Sequence, residues 1–419
     1  MLPIGITSLV KPLTRILPRE RALSNGMVQG KKIAVVTATR AEYGLLSRLI
    51  GLLHGSDEFE LQLFVTGAHL LPSQGMTVND IRKNSVPISA EIEIIDHDKQ
   101  PVDIAQVAAK ALSAFAKVFQ TFQPDAVVLL GDRYELMGIA SAALLTHTPI
   151  VHIHGGETTE GAMDEAIRHA VTKMASLHFA AAKPYAKRLI QMGEQPDRVF
   201  NVGAPGLDVI SQLQPIALEQ LEGFLQLALN KPVFMVTYHP VTWGDNHGLQ
   251  ALQALFNALD EFPQASIIWT AANTDESGEQ INQQVKNWVE QKANARFVCS
   301  LGSQRYLSLL KIADVVVGNS SSGIIEAPAC GAATINIGSR QQGRLKAPSI
   351  IDCHENVHDI CNALNKALST EHKALCRPEL SLYGQGDSAK KMLQILSKTN
   401  FDQLKTKRFY DLDGDINAI

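Results

Sequence analysis

From Lys32 onward the sequence alternates short β-branched runs with amphipathic stretches, and it completes this scheme twice, with a Gly/Pro-rich break at Val202-Gly-Ala-Pro-Gly-Leu-Asp208 between the halves. Strands separated by helices pair in parallel, because the helix returns the chain to the edge from which the next strand starts. Residues 33–37, 61–66, 126–130, 150–153 and 178–181 read as strands of a first sheet, with helices over 45–54, 104–122, 136–146, 164–175 and 184–191. Residues 233–237, 267–270, 296–299, 315–317 and 334–337 read as strands of a second. The fold class expected is therefore α/β, with two Rossmann-like domains facing each other across a cleft.

The expected bounds are 31–206 for the first domain and 207–380 for the second. An amphipathic segment near 387–398 crosses back to the first domain within a C-terminal stretch, 381–419. Residues 1–30 carry Lys11, Arg15, Arg19 and Arg21 among Pro3, Pro12 and Pro18, too interrupted for the apolar core of a signal peptide. They are expected to lie outside the fold, with a functional start near Met27 and residues before it dispensable.

With 419 residues, 45% hydrophobic and 19% charged, the chain is long enough for two complete cores. A net charge of −4 and the lack of a basic stripe interleaved with aromatics argue against a nucleic-acid partner. The 5 cysteines include no C-x-x-C pair, which points to a reducing cytoplasm rather than a disulfide framework. No apolar run approaches the length of a membrane span, so no membrane partner is expected.

The strand at 315–317 runs into Gly318-Asn-Ser-Ser-Ser-Gly323, and the next strand ends in Gly338-Ser-Arg340-Gln-Gln-Gly-Arg344. Ser320, Ser321, Ser322 and Gly323 open a helix, whose first N–H groups and hydroxyls suit a phosphate. In a parallel sheet the C-terminal ends of adjacent strands open onto one crevice, which brings Arg340 and Arg344 to the same place. Glu326, one turn into the helix, can accept both hydroxyls of a ribose. The plainer alternative is that Ser320 or Ser321 merely caps the helix.

The first half offers residues for proton transfer. The opening strand ends in Thr37-Ala-Thr-Arg40-Ala-Glu42-Tyr43-Gly44, without a G-x-G-x-x-G or a G-K-[ST], so neither nicotinamide binding nor P-loop chemistry is supported. Arg40, in the loop after that strand, either reaches a phosphate or pairs with Glu42 at the surface. Asp132 and Arg133 follow the strand at 126–130, with helix capping by Asp132 as the alternative. His152 and His154 alternate onto one face of a strand end, ahead of a glycine pair and Glu157. A zinc site is disfavoured for want of a third ligand at suitable spacing. Asp164 and Arg168 are four residues apart, which fits either a helix ion pair or an acid/base site. His239 closes the first strand of the second half, and a loop from His69 to Gly75 is a weaker candidate.

Thr-Arg-Ala-Glu-Tyr-Gly at 39–44, Gly-Asp-Arg-Tyr-Glu at 131–135, His-Ile-His-Gly-Gly-Glu at 152–157, Asp-Glu-Ala-Ile-Arg-His at 164–169, His-Pro-Val-Thr at 239–242 and the two motifs around Ser320 and Arg340 occur in one order. In that order they resemble the hydrolysing UDP-N-acetylglucosamine 2-epimerases of sialic-acid-type sugar synthesis. The resemblance implies a GT-B-like pair of domains that convert a UDP-sugar substrate, UDP-N-acetylglucosamine, and water to UDP and free N-acetylmannosamine, with no nicotinamide or metal cofactor. It places Asp132, Asp164 and His239 among the catalytic groups and Arg40, Ser320, Ser321, Glu326 and Arg340 around UDP. Where members of that family carry a glutamate, this chain has His154, so either His154 or Glu157 takes the role or the sugar differs. A 2,4-diacetamido-2,4,6-trideoxyglucose nucleotide is the alternative substrate. Arg133, Arg168, Ser322, Gly323 and Arg344 complete the expected binding set, and a homo-oligomer is expected. A GT-B glycosyltransferase and a silent nucleotide-sugar sensor remain as rivals.

Overall fold

The computed structural model describes residues 14–16, 30–84, 86–96, 103–159, 163–239, 249–272 and 276–412. The chain divides into two compact units. Unit 1 comprises Met1–Glu157, Gly161–Pro205 and Ala389–Ile419, and unit 2 comprises Thr158–Glu160 and Gly206–Ser388.

Unit 1 holds β1 (Thr14–Ile16), β2 (Lys31–Thr37), β3 (Phe59–Thr66), β4 (Ile88–Ile92), β5 (Ala126–Leu130), β6 (Ile150–Ile153), β7 (Leu177–Ala180) and β8 (Val199–Asn201). They form one sheet in the order β1-β4-β3-β2-β5-β6-β7-β8. Every pairing is parallel except that of β1 with β4. The inner strands are buried on both faces: Ile33 and Val35 of β2 join one core, Ala34 and Val36 the other. That two-sided burial is why β5 reads Ala-Val-Val-Leu-Leu without polar alternation. The helix Ser388–Lys398 lays Ala389, Met392 and Leu396 into the first of these cores.

Unit 2 holds β9 (Val233–Thr237), β10 (Ser266–Thr270), β11 (Ala295–Val298), β12 (Val315–Gly318), β13 (Ala333–Ile337) and β14 (Ile350–Cys353), ordered β11-β10-β9-β12-β13-β14. All pairings are parallel. Its core is built around Phe234, Trp269, Phe256 and Phe262.

In each sheet the strand order reverses once, between β2 and β5 in unit 1 and between β9 and β12 in unit 2. Crevices of doubly wound sheets open beyond the C-terminal ends of strands at such points. The segments that follow β2, β5, β9 and β12 carry Arg40 and Glu42, Asp132, His239 and Ser320 respectively, the first two already inside the helix that opens at Arg40.

Two expectations need correction. Residues 1–30 are not wholly outside the fold, because Thr14–Ile16 adds an antiparallel edge strand against Ile92, Glu91 and Ala90. A three-residue strand between prolines leaves no periodicity to read. β4, β8 and β14 are also absent from the strands expected from sequence; β8 and β14 have three and four residues, and β14 is only partly buried, while β4 carries Ser89 and Glu91 within its apolar run.

Candidate functional site

In unit 1, β5 delivers Gly131 and Asp132, and β6 delivers His154 to Glu157. Asp132 does not cap the following helix Glu135–Leu145, whose N-cap is Tyr134 without a side-chain bond. Instead its Oδ2 accepts from Nη2 of Arg168. Nη1 of Arg168 lies 3.3 Å from Oε2 of Glu157, and the other carboxylate oxygen of Glu157 meets Nδ1 of His154. Asp132, Arg168, Glu157 and His154 thus form one chain of contacts about a guanidinium whose side chain is only 7% exposed. Burial of the cation holds both carboxylates to it, since water competes little there. Asp164 stands in the first turn of the helix Met163–Met174, one turn before Arg168. Nε2 of His154 is buried without a partner among the described residues.

His152 and His154 do not share a face as the alternation suggested. β6 ends at Ile153, and His154 takes a left-handed backbone with φ +66°. His152 is fully buried, with Nε2 2.8 Å from the Gly131 carbonyl. A carbonyl only accepts, so Nε2 carries the proton and Nδ1 accepts from the Thr172 hydroxyl at 3.3 Å. Burial pushes its pKa down to about 3, which keeps the ring neutral. It ties the loop before Asp132 to the helix that carries Arg168.

Nearby charges are also internal to unit 1. Glu42 is not a surface partner of Arg40; it closes a capping box with Thr39, accepting from the Ala38 and Thr39 N–H groups at 2.8 and 2.9 Å. Burial, opposed by those bonds and by Arg133, pushes its pKa up to about 7. Arg133 donates to the fully buried Glu135 at 2.8 Å. Arg40 lies not in a loop but at the first position of the helix Arg40–His54, exposed. His69 is buried between the hydroxyls of Thr37 and Thr77 at 3.0 and 2.8 Å, in a structural setting.

In unit 2 the end of β12 passes unusually close to β9: a Cβ on Gly318, at φ +134°, would sit 1.9 Å from the Thr237 carbonyl. Asn319 follows, fully buried. Its amide brackets His239, accepting from the His239 N–H at 2.7 Å and donating to the His239 carbonyl at 2.9 Å. Its own carbonyl accepts from Nη1 of Arg340 at 3.1 Å and from Gln341 at 2.8 Å. Ser320 is the N-cap of the helix Ser321–Cys330 and accepts from the Ser322 N–H at 3.4 Å. The Ser322 hydroxyl lies 2.5 Å from that of Tyr306. Burial raises the pKa of Glu326, against a hydrogen bond from Ser322. Gly323 faces Thr334, whose methyl a Cβ would meet at 2.9 Å. Arg344 is half-buried in the loop beyond Arg340.

One sheet end therefore gathers His239, Ser320 and Arg340, with Asn319 bonded to His239 and Arg340, Gln341 bonded to Asn319, and Tyr306 bonded to Ser322. Asn319, Gln341 and Tyr306 were not singled out from sequence. A groove of about 640 Å3 begins at Gly338 and Ser339 and runs past Asp352, Glu355 and Lys366, but it contains none of the expected site residues. Among the described residues no cluster of His, Cys, Asp or Glu is placed to hold a metal ion. No helix among them is long and apolar enough to cross a membrane.

A family profile described as UDP-N-acetylglucosamine 2-epimerase matches residues 52–397. A GDP/UDP-N,N'-diacetylbacillosamine 2-epimerase (hydrolyzing) of Campylobacter jejuni is 39% identical over 91% of this chain and 99% of its own length. A UDP-N,N'-diacetylbacillosamine 2-epimerase (hydrolyzing) of Legionella pneumophila is 33% identical over 87% of this chain and 95% of its own. The fold is similar to the crystal structure of a UDP-GlcNAc 2-epimerase from Neisseria meningitidis bound to UDP-GlcNAc, with a TM-score of 0.71 and 16% identity over 88% of this chain and 100% of that one.

Proposed function

The chain belongs to the UDP-N-acetylglucosamine 2-epimerase family, and from that premise we propose that it is a hydrolysing 2-epimerase of a UDP-linked 2-acetamido sugar, taking UDP-2,4-diacetamido-2,4,6-trideoxyglucose in preference to UDP-GlcNAc. The chemistry rests on one observation, the chain of two carboxylates and an imidazole about Arg168 in unit 1. Such a group can both accept and return a proton. The choice of sugar rests on the two relatives, both of which carry a diacetylbacillosamine substrate in their names. The histidine at position 154, where the resemblance leads one to expect glutamate, also favours it.

In this reading one of Asp132 and Asp164 takes the C2 proton as the C1–O bond to UDP breaks, leaving a glycal and free UDP. Water then adds at C1, while an acid returns a proton to C2 from the opposite face. Removing a weakly acidic C–H proton requires that negative charge on the departing diphosphate be held. Arg40, Ser320, Ser321, Ser322, Arg340 and Arg344 take that task, with Glu326 on the ribose and Arg133 and Arg168 completing the substrate-binding set. His239, His154 and Glu157 serve the proton transfers. No cofactor is required. A homo-oligomer in the cytoplasm belongs to the same proposal, and the five cysteines, all free, suit a reducing compartment.

The test is incubation of the protein with each UDP-sugar in water, without an acceptor, with mass spectrometry of the products. UDP and free 2-epimerised sugar should form from the diacetamido substrate with a kcat/KM about tenfold or more above that for UDP-GlcNAc. The opposite preference would establish the second reading, N-acetylmannosamine from UDP-GlcNAc. Release only when an acceptor sugar is added would indicate a glycosyltransferase, and tight binding without turnover a sensor.

A further inference from the structure

We propose that Asn319 is a positioning residue: its side-chain amide stands in for a missing rung of the sheet and fixes the backbone of His239 for the reaction. The proposal rests on the reading of His239 as a group of that reaction.

The last paired residues of β9 and β12 are Thr237 and Gly318. Beyond them one more main-chain bond runs from the Asn319 N–H to the Thr237 carbonyl at 3.3 Å, yet His239 lies two residues past the end of β9 and needs a fixed backbone if its ring is to act. A strand neighbour would offer one N–H and one C=O to it. Asn319 offers the same pair from its side chain, at 2.9 Å and 2.7 Å. The side chain is fully buried, so water does not compete for either bond. Only asparagine supplies a donor and an acceptor at this reach: aspartate lacks the donor, serine has a single polar atom, and glutamine is a methylene too long. The close approach at Gly318 brings the amide within range. The bonds from Arg340 and Gln341 go to the Asn319 main chain, so they survive a change of its side chain.

That division makes the proposal testable. Asn319→Asp keeps the bond from the His239 N–H but sets a carboxylate oxygen against the His239 carbonyl. Its kcat should fall about tenfold or more, with UDP affinity within about twofold of wild type. His239→Ala should lose turnover, and the double variant should be no slower than His239→Ala alone, because two residues acting as one unit are not additive. Asn319→Ser, which carries no charge, makes the same comparison should the aspartate variant fail to fold. Multiplicative losses in the double variant, or weakened UDP binding with kcat unchanged, would overturn the proposal alone. Wild-type turnover in His239→Ala would instead remove the reading of His239 and this proposal with it.

Discussion

Beyond the switch-point strands of unit 1 the side chains are joined by ion pairs, whereas beyond those of unit 2 they are joined by amides, hydroxyls and main-chain groups, with Arg340 as the cation that touches them. The buried joint differs in the same sense. In unit 1 it is the neutral imidazole of His152, linking Gly131 to Thr172. In unit 2 it is Asn319, whose side-chain amide holds the His239 backbone while its main-chain carbonyl accepts from Arg340. One topology thus supports two chemistries. Paired charges can pass protons but depend on every partner being present, while a cradle of amides, hydroxyls and main-chain groups can receive an anion without first losing an ion-paired carboxylate.

The largest effect should come from breaking the ionic side at its centre. Arg168→Met leaves Asp132 and Glu157 without their shared cation, and the fold should lose about 3 kcal/mol, the lower end for such pairs because Asp132 keeps some solvent contact. Denaturant titration reads this directly, and a change below about 1 kcal/mol would mean that the carboxylates do not need the guanidinium. Next, Asp132→Asn and Asp164→Asn keep shape but remove a proton acceptor. Each should cost roughly a hundredfold in turnover with UDP affinity near wild type. Loss of UDP affinity instead would move those residues to the binding side of the comparison. On the neutral side, Arg340→Ala and Ser320→Ala should each weaken UDP by about 1 to 3 kcal/mol. Calorimetry showing unchanged affinity in both would place the nucleotide elsewhere.

The last effect is spread across a pH window rather than read at one pH. The Glu42 carboxyl moves from an ordinary 4.5 to about 7 on folding. Between those values the folded chain holds a proton that the unfolded chain has released, so this contribution to stability is complete below 4.5 and is lost as pH rises through about 7. Urea midpoints followed across that window should fall less steeply for Glu42→Gln than for wild type. Identical slopes would show that Glu42 ionises normally in the cap.

Much of this fold was legible because central strands of a parallel sheet are apolar runs: Ala126–Leu130, Ile150–Ile153 and Val233–Thr237 have the bounds expected from sequence, as does the helix Ile104–Phe122. The edge strands β1, β8 and β14 are hard to read because three or four residues, with partial exposure in β8 and β14, leave little periodicity. The site residues named from sequence were those whose type announces chemistry. Asn319, Tyr306 and Glu135 were passed over because burial and partners give them their role, and both are tertiary facts. Glu42 could have been placed: Thr39-Arg-Ala-Glu42 has the spacing of a capping box, yet it was weighed as a partner for Arg40.

Whether the C2–H bond is broken and remade is read by running the reaction in deuterated water and locating the label. One deuterium should appear at C2 of an inverted free sugar, because in the elimination and hydration sequence the returning proton comes from a side chain that exchanges with solvent. Free sugar of unchanged configuration without deuterium at C2 would contradict that mechanism and leave a simple nucleotide-sugar hydrolase.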